Sequence, residues 1–267
     1  MVIDKSEQFE RAVRLGFLAR AAIYILLGVL ALASSSEVSD GPAAAFDAIG
    51  EAPGGTALLW LTAAGLVAYA LFRLASTLLD IEHEGSDKIG WAKRIGHAGS
   101  AIGHLLLAWS AFQFATTGQA ADDSARAQEV AAGVLSVNLG PVLLALAGLA
   151  FLATAVFQAR EGLTGSFMHM ISRRAPAATR QIGAAGYLAR AVVFAIIGWS
   201  LVQAAWGGTS SGIKSIGSAI SSLADTGIAF QLVAVGLLLF GIFSLVLARY
   251  RIIPELDVDM RIPTFRL

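Results

Sequence analysis

Six stretches of this chain are apolar for long enough to cross a bilayer: near 14–34, 57–79, 97–116, 141–159, 186–206 and 229–248. A hydrocarbon core is crossed by about 20 residues of helix. Inside it no water is present to bond a bare amide or carbonyl, so each segment has to satisfy its own backbone as an α-helix. Composition points the same way, with 56% hydrophobic and 14% charged residues, where a soluble domain carries about 25% charged. Mean hydropathy is +0.70. The reading is an all-α integral membrane protein with six transmembrane helices, a single membrane domain over 1–248 and a cytoplasmic tail over 249–267. The first span is expected to stay in the mature protein. Its polar head includes acidic residues, and "ALASSSE" is a weak cleavage site.

Two of the spans begin alike. "LGFLARAAIYILLG", Leu15 to Gly28, and "AGYLARAVVFAIIG", Ala185 to Gly198, share six of fourteen aligned residues, among them Arg20 and Arg190. A degenerate third copy, "IGHAGSAIGHLLLA", runs from Ile95 to Ala108, keeps Gly96 and puts Ser100 where the arginine stood. The second helices match as well, with Phe72, Phe157 and Phe243 in register. Internal repeats set the architectural unit. Here the unit is a helix pair, in repeats of about 11–80, 91–160 and 181–248. Each pair crosses twice, so all copies start from one side and the repeats are parallel. Three such units predict a pseudo-threefold bundle about the membrane normal, unlike inverted-repeat transporters.

Charge gives the orientation. Of the nineteen Lys and Arg residues, all but Arg126 and Lys214 fall on the side of the termini. Basic residues favour the cytoplasm, so both termini are expected there. The three loops on the other side, roughly 34–56, 117–140 and 207–228, each hold a short, partly apolar stretch. Ile213, Ile216, Ala219, Ile220 and Leu223 fall at helical spacing. These stretches are expected to be short helices that cap the bundle or lie at the interface.

The "LGFLARAAIYILLG" and "YLARAVVFAIIG" starts, the "DKIGWAKRIGHAG" segment that leads into the middle unit, and the three two-helix units together resemble bacterial membrane proteins of the domain of unknown function 1206 family. The resemblance covers roughly residues 11 to 250. It implies a multi-pass bundle in the cytoplasmic (inner) membrane of a bacterium and brings no activity with it. The middle unit departs from the pattern at Ser100, and the tail lies largely beyond the repeats.

The arginines are the sharpest chemical feature. A charge at the membrane centre costs about 3 kcal/mol or more, so an intramembrane arginine is a functional hypothesis. Its rivals are snorkelling, lipid-phosphate contact and capping of carbonyls. No Asp or Glu falls inside any predicted span, which argues against ion-coupled transport through a buried carboxylate. Asp80 and Glu161 lie just beyond span ends and are the nearest acidic candidates. His104 occupies the repeat position of Tyr24 and Phe194 and reads as a packed ring. Gly99-x-x-x-Gly103 has the small-residue spacing of a close helix contact, within the bundle or in a homo-oligomer. Thr154, Gln158, Ser200, Gln203 and Ser244 are candidates for hydrogen bonds between helices.

Catalytic signatures do not appear. Cysteine is absent, which removes thiol catalysis, disulfides and thiolate metal sites. "GGTSSGIK", Gly207 to Lys214, fails as a phosphate loop because Ile213 separates glycine from lysine. Net charge is zero, so no basic field recruits nucleic acid. No cofactor or metal is expected. Two functions remain. The first is a non-enzymatic protein that binds a membrane lipid or small anionic amphiphile, in the manner of a transporter or channel, with Arg20 and Arg190 on the anion and Tyr24, Tyr69, Tyr187 and His104 shaping the site. The second is a scaffold that recruits a partner on its cytoplasmic face.

Overall fold

The computed structural model describes residues 5–119 and 123–253, and the predicted tail from 254 lies outside them. The described residues fold into nine α-helices: α1 (Lys5–Ala33), α2 (Pro42–Glu51), α3 (Gly55–Leu78), α4 (Lys88–Thr117), α5 (Asp123–Leu135), α6 (Gly140–Thr164), α7 (Thr179–Gly207), α8 (Ile216–Ser221) and α9 (Ile228–Tyr250). Short 3-10 turns fill Glu37–Asp40, Ser166–Met170 and Ala224–Thr226.

Five helices, α1, α3, α6, α7 and α9, are long and apolar enough to cross a membrane. The chain is a multi-span helical membrane protein. The sequence expectation was six spans, and α4 is the difference. It is 30 residues long, but His97, Ser100, His104, Ser110 and Gln113 interrupt its apolar run.

The long helices pack antiparallel, and the pairings reveal their register. Along α3 and α4, Trp60 meets Phe112 and Tyr69 meets His104, and Thr77 meets Arg94. Between α1 and α9, Tyr24 meets Phe240 and Arg14 meets Ala248. α6 meets α7 through Phe151 and Phe194 and through Gly148 and Gly198. α1 also packs on α3, and α7 on α9. Followed around the bundle, the order is α4, α3, α1, α9, α7, α6, which is the order a threefold arrangement of helix pairs requires. One side of it is missing: α4 and α6, the two long helices of the middle repeat, do not pack along each other. The most apolar stretch of α6 is accordingly only 22% buried, against 56% for α1.

The repeated glycines explain where the bundle is tight. A Cβ on Gly16 would lie 2.7 Å from Tyr69 Cβ, and one on Gly186 would lie 2.7 Å from Phe240 Cβ. Tyr69 and Phe240 hold the same repeat position, three residues before Phe72 and Phe243. A Cβ on Gly28 would come 2.7 Å from Leu238 Cβ, and on Gly198 2.8 Å from the Gly148 carbonyl oxygen. The middle repeat behaves differently. Gly96, Gly99 and Gly103 have nothing within 4 Å of an added Cβ. Gly99-x-x-x-Gly103 makes no close contact within the bundle, because the face it occupies has no helix of this chain against it.

The start of α1 and the end of α9 lie at one end of the bundle, where Arg14 Nη1 donates to the Ala248 carbonyl at 2.6 Å. We call this the basal end. There residues 170–172 run beside Tyr250–Ile252, with Ser172 N donating to Tyr250 O and Ile252 N to Met170 O, each at 2.9 Å. The opposite, distal end carries α2, α5 and α8, one in each loop where a short helix was expected. They cap the bundle. Pro42, Ala43, Ala45, Phe46 and Ile49 of α2 are buried, as are Ala219 and Ile220 of α8. Gly41, at φ +63, meets Gly217 backbone to backbone, an approach that leaves no room for a side chain on either residue.

Candidate functional site

Arg20 lies in the wall of the bundle where α1 meets α3 and α9. It is 5% exposed, so it does not snorkel out. Its Nη1 donates to Tyr69 Oη at 2.6 Å and its Nε to Ser244 Oγ at 3.1 Å. Ser244 accepts this bond while donating its own proton to the Phe240 carbonyl at 2.9 Å. The guanidinium sits over three rings, Phe17 at 4.8 Å and Tyr69 and Phe240 at 5.0 Å. Each such contact stabilises a desolvated cation by about 0.5–2 kcal/mol. Its level is six residues in from Tyr250 along α9, or about 9 Å.

From Arg20 a polar chain runs to the basal end. Tyr69 Oη also accepts from Arg73 Nε at 3.0 Å. Arg73 Nη1 reaches Glu82 Oε2 at 2.9 Å and His97 Nδ1 at 3.0 Å. The other Glu82 oxygen accepts from Arg251 Nη2, and His97 Nε2 lies 3.1 Å from Glu82 Oε2. Glu82 is 4% exposed. Burial alone would push its carboxyl up, but Arg73 and Arg251 outweigh that effect and hold it down at about 2.

The α3–α4 connection is built to deliver this carboxylate. Asp80 and His83 adopt φ +50 and +54, a left-handed turn that Asp and His tolerate better than bulkier residues. The Asp80 carboxylate accepts the amides of Glu84 at 2.8 Å and Gly85 at 3.0 Å, and Ile81 is buried. Glu82 is thereby turned inward. Arg94 ties the connection down by donating to the carbonyls of Thr77 at 2.8 Å and Leu78 at 3.3 Å.

Arg190 is the contrasting case. Its guanidinium lies over Phe240 at 4.3 Å, Phe194 at 5.0 Å and Tyr24 at 5.3 Å. It makes no hydrogen bond or ion pair with any described residue, and its Nε is buried without a partner. Phe240 therefore touches both arginines, 170 positions apart in the chain. His104 packs on Tyr69 with the rings tilted by 46° and centroids 4.4 Å apart, and its Nδ1 is 2.7 Å from Ser100 O. It lies within electrostatic reach of Arg20, Arg190 and Arg73. Tyr187 packs on Phe167, Phe240 and Phe243 at 5.0, 5.7 and 5.8 Å.

All six residues singled out from the sequence thus gather around Tyr69 and Phe240, with Tyr24 and Tyr187 contributing rings. Glu82, Arg73, Arg251 and Phe240 were not singled out. Glu82 is one of four acids in "DIEHEGSDK", and no local feature marks which one turns inward. Asp80, the acid flagged beside the span, serves its own turn. Of the polar span residues, Ser244 does bond between helices. Thr154 and Ser200 instead donate to carbonyls of their own helices, each at 2.8 Å. Among the described residues no group of His, Asp or Glu is placed to hold a metal. A groove of about 310 Å³ beside Trp199, Gln203 and Lys214 does not touch the arginines.

A family model described as Domain of Unknown Function (DUF1206) matches residues 15–80, 95–165 and 185–251, one match for each helix pair. The chain belongs to the DUF1206 family. It is similar to the uncharacterized protein YxxB of Bacillus subtilis (strain 168), 29% identical over 248 residues, 89% of this chain and 90% of that protein. No solved structure matches. Superposing the three DUF1206 repeats by sequence aligns Arg20 with Ser100 and Arg190, Tyr69 with Thr154 and Phe240, and Arg73 with Gln158 and Ser244. The first repeat holds its arginine by hydrogen bonds, the third by aromatic faces alone. In the DUF1206 middle repeat the Ser100 carbonyl faces His104 instead.

Proposed function

We propose that this protein is a non-enzymatic membrane protein of six crossings that binds a lipid or small anionic amphiphile within its helix bundle. The anion rests on Arg190, with Arg20 behind it and Tyr24, Tyr69, Tyr187 and His104 around it, and enters sideways between α4 and α6. The observation that carries this reading is that Arg190 has no counter-charge or hydrogen bond from any described residue. It sits eleven residues beyond Thr179, about 16 Å along α7. A cation at such depth is costly, and a protein that keeps one there uncompensated leaves its charge for a ligand.

The sixth crossing is supported by the outer face of α4. Ile95, Ile102, Leu106 and Trp109 form an exposed apolar stripe, while His97 and His104 meet Arg73 and Tyr69 of α3 and Ser110 and Gln113 accept from Arg126 of α5. The cytoplasm is assigned to the basal end because fifteen of the seventeen basic residues among the described ones lie toward it. The bacterial relative supports placement in a bacterial cytoplasmic membrane. Membrane lipid is the partner, and nucleic acid is not.

The test is native mass spectrometry with lipid identification on wild type and Arg190→Ala. That substitution removes no hydrogen bond, so the fold is expected to survive. A selective anionic adduct on wild type that is lost from the variant, at unchanged melting temperature, supports the reading. Wild type without a selective anionic adduct overturns it.

A further inference from the structure

Four buried polar atoms have no hydrogen-bond partner among the described residues: Arg20 Nη2, Arg190 Nε, His104 Nε2 and Gln158 Oε1. Arg20 and Gln158 are more than nine-tenths buried, at 5% and 7% exposure. The antiparallel register sets Gln158 beside Arg190. Gly148 of α6 lies against Gly198 of α7, and Gly162 lies against Ala184 and Leu188, which brings the intervening Gln158 to the level of Arg190. The repeat makes the same assignment. Gln158 holds the place of Ser244, and α6 packs on α7 as α9 packs on α1. Where Arg20 Nε closes on Ser244 Oγ at 3.1 Å, the equivalent Arg190 Nε and Gln158 Oε1 stay open, both buried.

The four atoms are of two kinds. The arginine nitrogens are cationic donors and want an anion. His104 Nδ1 faces the Ser100 carbonyl at 2.7 Å, and since a carbonyl only accepts, that nitrogen carries the proton. In the neutral ring Nε2 is then an acceptor. Gln158 Oε1 is an acceptor as well. A bare anion would serve the arginines and leave both acceptors unmet, and an unmet buried acceptor is costly. An ammonium headgroup would serve the acceptors against the repulsion of two guanidiniums.

We infer that the site takes an anion that carries hydroxyl groups beside its charge, of the glycerol phosphate kind, with the phosphate on Arg190 and Arg20 and the hydroxyls donating to Gln158 and His104. This rests on the anion-binding reading above and adds the class of headgroup. The same chemistry occurs in a hydroxylated anionic phospholipid and in free glycerol phosphate. The side of the bundle on which α4 and α6 do not pack along each other suits the lipid.

The test uses the full-length protein in detergent, titrated in native mass spectrometry with phosphatidylglycerol, with phosphatidylethanol, which has the same charge and no hydroxyl, and with glycerol 3-phosphate as competitor. Phosphatidylglycerol is expected to bind about tenfold more tightly than phosphatidylethanol, the discrimination of roughly one buried hydrogen bond. That preference should shrink in Gln158→Leu and in His104→Phe and vanish in the double variant, while phosphatidylethanol binding persists. Phenylalanine already stands at the His104 position in the third repeat, so this variant is expected to fold. Displacement of the lipid by glycerol 3-phosphate identifies a soluble source for the same chemistry, and its failure with selectivity intact identifies the lipid. Equal binding of the two lipids overturns the hydroxyl inference and leaves anion binding standing. If neither lipid binds, the anion-binding reading falls with it.

Discussion

Glu82, in the connection after α3, is hydrogen-bonded to Arg251, the residue that follows α9, across 169 positions of sequence. The contact joins the first repeat to the last. Because the same carboxylate also holds Arg73 and lies against His97, it offsets part of the charge of a basal cluster that would otherwise be uniformly basic. Removing one partner of a buried pair costs about 3–5 kcal/mol, since the other charge stays behind. Glu82→Gln is therefore expected to lower the melting temperature in detergent strongly. A melting temperature within a degree of wild type would mean that the cluster does not hold the basal end together.

The same carboxylate fixes a pH dependence. Its folded value of about 2 lies below the ordinary 4.5, so the unfolded chain binds the extra proton. The stabilisation is complete above pH 4.5 and is lost as pH falls from there toward 2. Its size is on the order of 3 kcal/mol. Thermal unfolding followed from pH 6 to pH 3 should show stability falling in wild type and a shallower fall in Glu82→Gln. Parallel curves for the two proteins would assign the acid sensitivity to other carboxylates.

Tyr69 accepts from two arginines at 2.6 and 3.0 Å. Tyr69→Phe keeps the ring under Arg20 and beside His104 but deletes both acceptor contacts. Hydrogen bonds to charged groups contribute about 1.5–3 kcal/mol each, and Ser244 continues to hold Arg20. We expect a loss of about 2–3 kcal/mol, measured by reversible denaturation in mixed micelles, and a smaller loss for Ser244→Ala. A neutral Tyr69→Phe would show that the aromatic faces alone carry Arg20.

The repeated glycines make a matched set. Gly16→Ala and Gly186→Ala force a methyl against Tyr69 and Phe240 and are expected to cost about 1–3 kcal/mol by overpacking. Gly96→Ala, at the equivalent position of the middle repeat, meets nothing and gains helix propensity of up to about 1 kcal/mol. The reverse ranking in a thermal-shift series would mean that α4 and α6 close against each other in the membrane.

Much of the architecture was legible because lipid leaves a chain few choices. Apolar length marked the spans, and the arginine-bearing motif marked the helix pairs. Helical spacing in the loops marked the short distal helices. Even the aromatic ring set around the arginines was visible, as Tyr24, Tyr69, Tyr187 and His104. α4 was harder to read, since polar residues that turn inward lower its hydropathy as much as polar residues facing lipid would. A linear sequence does not record the direction in which a side chain points.

The sequence by itself determined a multi-span helical protein in three repeated units, with its arginines at equivalent places. These are consequences of apolar length and of periodicity along one chain. Only the tertiary structure decided that Arg20 is bonded to Tyr69 and Ser244 while Arg190 is left on aromatic faces. It also decided that Glu82 rather than Asp80 meets the basal arginines, and that the middle repeat stands apart at α4 and α6. Those outcomes depend on which helix lies against which, and identical motifs acquire different partners when they enter different interfaces.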